Sequence, residues 1–171
     1  MKNPFKLMFQ AVLKSQQQKQ KKIAISLALA RNYLYENKGL NSLHPDLQTK
    51  AVLLMKRMEE LNKPIMVYQT YRSAKEQNDK YARGRTTGGS IITNAKGLQS
   101  YHQYGLAVDF VFEKYWWRPP TSDWWITLMK EVEKLGLESG GRWALRDYPH
   151  VQYRPLGVTW RELKPYFERS V

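Results

Sequence analysis

The run Ser100-Tyr101-His102-Gln103-Tyr104-Gly105-Leu106-Ala107-Val108-Asp109-Phe110-Val111-Phe112 changes character at its glycine. From Leu106 onward it alternates as a strand does: Leu106, Val108, Phe110 and Phe112 share one face, and Ala107, Asp109 and Val111 share the other. Asp109 is thus an acid set among apolar neighbours, and a buried carboxylate must be paired, protonated or bound to a metal. His102 lies upstream of it, across a stretch that would cover about 23 Å if fully extended. That is too far for two ligands of one ion, so the chain has to double back, and Gly105 is the residue suited to the turn. The pattern predicts a two-ligand module, with small Ala107 leaving room beside it.

A third ligand candidate comes later. His150 follows Asp147 by three positions, Pro149 stiffens the approach, and Val151 begins another short strand. Together His102, Asp109 and His150 make a two-histidine, one-carboxylate set that leaves an open tetrahedral position on Zn²⁺ for water, as hydrolytic zinc sites do. Asp147 is then free to act as a general base. The chain has no cysteine, which excludes disulfide scaffolds, thiol nucleophiles and Cys-rich zinc motifs together. Of its three histidines, His44 in Leu43-His44-Pro45 reads as structural.

Working outward, the pattern is that of an α+β domain: a small antiparallel sheet with flanking helices. Pro45 to Leu61 reads as a helix with apolar positions at Leu47, Val52, Leu53, Met55 and Leu61. Ile65 to Tyr71 reads as a strand, and Ser73 with Glu76 has the capping-box spacing for a helix to about Ala82. A long Gly- and Thr-rich loop, Gly84 to Gln99, follows, and so long a loop in a small domain points to function. Asp123 to Leu135 reads as a helix, Val151 to Tyr153 as a strand and Thr159 to Glu168 as a terminal helix.

The 171 residues fit one domain plus an appendage: residues 41–171 as the catalytic unit and residues 1–40 as a basic amphipathic helical extension. The content is 42% hydrophobic and 13% aromatic, which excludes a disordered chain, and the mean hydropathy is −0.64. Net charge is +13, of which residues 1–40 carry +7, from eight basic side chains and one acid. An anionic partner follows: nucleic acid, an acidic membrane surface or bacterial cell wall. Within the extension, Phe5, Met8, Phe9, Val12 and Leu13 recur at helical spacing, so it can dock on the main domain or meet anionic membrane or envelope. No apolar run is long enough to span a bilayer. Ala28-Leu29-Ala30 looks like a signal cleavage site, but its lead-in and apolar stretch fit a signal peptide poorly, so synthesis in a host cytoplasm and release at lysis are expected. The pairs Trp116-Trp117 and Trp124-Trp125 could stack bases, yet no nucleic-acid motif accompanies them, so no nucleic-acid partner is expected. The chain is expected to act as a monomer.

The segment from Ser100 to Asp109 matches the S-x-H-x-x-G-x-A-x-D signature and resembles that of the LAS zinc peptidases, which include D-alanyl-D-alanine carboxypeptidases and the L-alanyl-D-glutamate endopeptidases of phage endolysins. Asp147-Tyr148-Pro149-His150 is similar to their second motif, and Tyr71-Arg72-Ser73 with Gln77 to their Y-R-S-x-x-x-Q segment. Tyr81 to Thr86 and Thr93 to Gly97 are similar to the loop of the endolysin-type branch. The resemblance covers residues 43–155 and implies a Hedgehog/D-Ala-D-Ala-peptidase-like fold. It further implies that Zn²⁺ is held by His102, Asp109 and His150, that Asp147 takes a proton from water and returns it to the leaving amine, and that Arg72 stabilises the oxyanion. Gln77 and Ser100 would contact or position substrate. The implied function is endolysin-like cleavage of the L-Ala–D-Glu bond of bacterial peptidoglycan, with D-alanyl-D-alanine carboxypeptidase as the alternative. Gly140-Gly141-Arg142-Trp143 departs from the pattern, carrying an arginine where endolysin-type relatives are expected to have an acid.

Overall fold

The computed structural model describes residues 39–167, together with Lys14, Gln17 and Gln18, which are helical. Apart from those three, the amphipathic helices expected within residues 1–40 lie outside the described residues, as does the end of the terminal helix. Four helices, α1 (Pro45–Glu60), α2 (Ala74–Ala82), α3 (Asp123–Lys134) and α4 (Trp160–Phe167), flank a sheet of β1 (Ile65–Gln69), β2 (Ala107–Phe112), β3 (Glu138–Ser139) and β4 (His150–Gln152). The strands are antiparallel in the order β1-β2-β4-β3. The α+β expectation holds, with element boundaries within about two residues of those read from sequence.

The main core lies between α1, α3 and one face of β2, where Val108, Phe110 and Phe112 meet Trp125, Leu128 and Val132. Each such side chain contributes roughly 1.5–3 kcal/mol on burial. The α1 stripe is Leu47, Ala51, Leu54 and Met58, spaced by four, three and four. Of the positions named from sequence only Leu47 is buried there, because the helical period turns Val52, Leu53 and Leu61 to solvent and leaves Met55 half-buried. Leu106 also departs from its expected face. It precedes the strand and joins a second cluster of Tyr101, Tyr104, Ala107, Val158, Leu163 and Phe167 under α4. The tryptophan pairs divide: Trp124 and Trp125 pack on Phe112 with ring centroids 5.1 and 4.7 Å away, whereas Trp116 and Trp117 stay about half exposed. Strand β3 has only two residues and too little alternation to be read from sequence. Among the described residues no helix is long and apolar enough to cross a membrane.

The turn predicted at Gly105 is present. Residues Tyr101–Tyr104 form a single 3-10 turn that ends on Gly105 at φ 63°, in the left-handed region. Its N–H returns to the His102 carbonyl at 3.3 Å, and its own carbonyl accepts from His44 N at 2.8 Å. A Cβ at this position would stand 2.6 Å from Ser42 O, so both the dihedral and the close approach require glycine. Gly105→Ala is therefore expected to destabilise the protein by roughly 1–3 kcal/mol. Urea denaturation should show a lower midpoint at unchanged slope; an unchanged midpoint would mean the turn is not under this constraint.

Candidate active site

β2 supplies Asp109 at a register position where it faces two partners at once, His150 on β4 and Gln69 on β1. His150 needs only strand pairing to reach it. The register shift between Val67 and Gln69 marks a bulge in β1 beside this point. His102 reaches it from the 3-10 turn, which Ser100 opens. Ser100 Oγ accepts from the His102 N–H at 3.5 Å, and Gln103 Oε1 accepts from the Ser100 N–H at 3.0 Å. The outcome is convergence: His102 Nε2 and His150 Nδ1 each lie 3.1 Å from the same oxygen, Asp109 Oδ1. One donor atom from each of the three residues falls within 4.8 Å of the others.

The remaining ring nitrogens decide what this cluster can do. His102 Nδ1 is 2.6 Å from the Thr70 carbonyl oxygen, an acceptor, which assigns the proton to Nδ1 and turns the Nε2 lone pair toward Asp109. Gln152 donates from Nε2 to Glu138 at 2.8 Å, so its Oε1 faces His150 Nε2 at 3.2 Å and assigns the proton there. The His150 Nδ1 lone pair then meets the same carboxylate oxygen. Two lone pairs and an anionic oxygen directed at one point form a donor set that a divalent cation satisfies, with outer partners fixing both imidazoles. A proton can stand in for that cation, and the pKa directions agree. Burial draws His150 down but its hydrogen bond and charge contact with Asp109 prevail, so it is raised. Burial pushes His102 below its ordinary value. Burial would raise Asp109, but the two imidazoles hold it far below the ordinary carboxylate range.

Around this centre runs a groove of about 620 Å³. Arg72, Ser100 and Asp147 all line it, and so do the three clustered residues. Asp147 keeps an exposed edge and its carboxylate makes no hydrogen bond among the described residues, yet desolvation raises its carboxyl above the ordinary value and nearby Asp109 adds to the shift. Arg72 is buried, with Nη1 donating to Gln77 Oε1 at 2.7 Å, Nη2 donating to Gln69 Oε1 at 2.8 Å, and Nη2 3.6 Å from Asp109 Oδ2. Gln77 does not line the groove. It is fully buried behind Arg72, and its amide also donates to the Ala95 carbonyl at 2.7 Å, tying the Gly84 to Gln99 loop to α2.

Several contributors were not singled out in the sequence. Thr70, Gln69, Gln152 and Glu138 lack a motif of their own, and only strand register could have pointed to Gln69 and Gln152. Arg142 turns away from the groove and pairs with Glu133 on α3 at 2.6 and 3.1 Å, while its neighbour Trp143 lines the groove and packs 5.0 Å from the His150 ring. Gly140 is required behind the ligand loop, since a Cβ would meet Asp147 O at 2.6 Å and His150 Cβ at 3.0 Å. His44 is a helix cap, its Nδ1 accepting from Asp46 N at 3.3 Å.

Comparison with known proteins agrees with this geometry. Two family models, both described as D-alanyl-D-alanine carboxypeptidase, match the chain, one over residues 40–119 and the other over residues 93–153. The peptidoglycan L-alanyl-D-glutamate endopeptidase CwlK of Bacillus subtilis is 32% identical over 140 residues, covering 74% of this chain and 82% of that protein. The L-alanyl-D-glutamate peptidase of Listeria phage A118 is 28% identical over 123 residues, which is 70% of this chain but 41% of the phage protein. Among solved structures, the vancomycin-resistance D,D-pentapeptidase VanY, solved with Zn(II), shares the fold with a TM-score of 0.52 at 15% identity, over 71% of this chain and 83% of that one. With the ligand geometry, the groove and these matches in agreement, the chain belongs to the LAS-type zinc peptidases, the family of D-alanyl-D-alanine carboxypeptidases and L-alanyl-D-glutamate endopeptidases.

Proposed function

We propose that this chain is a zinc-dependent peptidoglycan endopeptidase that hydrolyses the L-Ala–D-Glu bond of the stem peptide. The observation that carries the chemistry is the convergence of His102, Asp109 and His150 in one groove beside Asp147, whose carboxylate makes no hydrogen bond among the described residues. The choice of bond is supported by the likeness to CwlK and to the phage peptidase. His102 Nε2, Asp109 Oδ1 and His150 Nδ1 would hold the zinc. Bound there, zinc supplies Lewis acidity and lowers the pKa of water.

Every other step belongs to the chain's own groups. Asp147 accepts the proton of the attacking water and delivers it to the leaving amine, a transfer favoured by a carboxyl whose pKa lies above the ordinary value. Arg72 directs its guanidinium at the carbonyl oxygen as negative charge develops, and Gln77 and Gln69 fix its plane. Ser100 holds the turn that aims His102. The basic surface suits a wall polymer rich in carboxylates. The extension, residues 1–40, adds +7 that the chemistry does not use and that would favour contact with an anionic membrane or envelope. A D-alanyl-D-alanine carboxypeptidase is the second reading, favoured by the description of both family models.

Mass spectrometry of fragments released from purified sacculi separates the two readings: new L-Ala carboxyl termini are expected, and release of terminal D-Ala alone would overturn the choice of bond. Asp147→Asn should retain about one zinc per chain by atomic absorption while turnover drops at least roughly a hundredfold. Wild-type turnover in that variant would remove Asp147 from the proton transfer. Chelation should abolish hydrolysis and lower the melting temperature, with both restored by zinc, because a ligand held only by the folded state stabilises it. A melting temperature indifferent to chelator and zinc would argue against a bound metal.

A further inference from the structure

The proposed bond brings a charge into the groove. D-Glu is joined onward through its γ-carboxyl, so a free α-carboxylate stands on the carbon next to the leaving nitrogen. Carboxylates already line that space: Asp109, Asp147 and Glu138. A further anion there is repelled unless a cation meets it.

Four cationic side chains line the groove, and two of them, Arg72 and Arg154, are held by hydrogen bonds and carboxylates. Arg72 has both terminal nitrogens bonded to glutamines and lies against Asp109. Arg154 pairs with Glu138 at 3.1 Å and donates to the Val158 and Gly157 carbonyls. Arg161 is exposed, its guanidinium lying 4.5 Å over the Trp160 ring. Lys80 remains. It sits on α2 one turn beyond Gln77, on the helix face that borders the groove. Its side chain is half-buried and makes no hydrogen bond or ion pair among the described residues. Partial burial and the nearby Arg72 charge lower its pKa, with Arg83 adding to this and Asp109 and Glu76 opposing it.

We infer that Lys80 is a specificity residue of the groove, its ammonium pairing with the α-carboxylate of the residue on the leaving-amine side of the scissile bond. The inference rests on the proposed bond and adds a discrimination that the zinc chemistry does not provide. A substrate in which this carboxyl is an α-amide offers the ammonium no anion and leaves it partly desolvated. Cleavage of the acid should exceed that of the amide by the worth of one charge-assisted contact, roughly tenfold to a hundredfold.

The test compares two synthetic muropeptides, identical except for a free acid or an α-amide at D-Glu, with the zinc-loaded full chain and its Lys80→Met, Lys80→Gln and Lys80→Arg variants. Expected for the wild type is a higher kcat/KM on the acid, carried mainly by KM. Lys80→Met and Lys80→Gln should bring the two substrates to within about threefold by weakening the acid alone, and Lys80→Arg should restore the preference. Zinc content and melting temperature should match wild type, since the side chain contacts no ligand. If the neutral variants keep the wild-type preference, the Lys80 assignment is overturned while the bond assignment stands. If the wild type releases no L-Ala carboxyl terminus from either peptide, the bond assignment fails and the Lys80 contact fails with it.

Discussion

One carboxylate oxygen organises this molecule. Asp109 Oδ1 lies 3.1 Å from two imidazole nitrogens, and both nitrogens are turned toward it by acceptors on their far sides. An anion on the central strand of a small domain is costly unless it is compensated. The fold meets that cost by two unrelated routes. Antiparallel pairing sets His150 directly opposite Asp109, while a left-handed turn at Gly105 folds His102 back over it. The first route depends on register and the second on a missing Cβ. Ser42 to His44, packed on Gly105, and Thr70, bonded to the His102 ring, extend the same constraint into the start of α1 and the end of β1.

Where sequence reading succeeded, a local physical rule was sufficient. Alternation placed Asp109 on the strand face opposite Val108 and Phe110, chain length showed that His102 must return, and Ser73 with Glu76 announced α2, where the reciprocal cap is present at 3.1 and 2.8 Å. Where it failed, the deciding information was tertiary. The face of α1 is chosen by what α3 and β2 offer it, so Ala51 is buried and Val52 is not. Leu106 looked like the first residue of a strand, but the turn it leaves directs it toward α4. The partners that set the histidine tautomers, Thr70 through its backbone and Gln152 through its amide, are chemically ordinary residues given their role by position.

The groove is asymmetric. On one side α2 and the loop that follows it are tied through Gln77 to Arg72, and Arg85 secures the loop by bonding the Tyr81 and Thr93 carbonyls at 2.6 and 3.0 Å. On the other side the Gly140–Trp143 segment holds Asp147 by a backbone bond of 3.0 Å to Gly140 O, and Arg142 fastens it to α3 from outside. Arg142 therefore braces the loop from behind and leaves the groove face to Trp143.

The two capping boxes, Ser73 with Glu76 and Ser100 with Gln103, stand at the starts of the segments that follow Arg72 and carry His102. Each fixes where its segment begins, and caps of this kind are worth about 1 kcal/mol. Arg72 N also donates to the His102 carbonyl at 3.4 Å, which joins the two starts into one jaw. The spacing between guanidinium and imidazole is thus calibrated by side chains concerned with where segments start, so a homologous enzyme could widen or narrow its bite on the peptide by exchanging caps while every reacting group stayed the same.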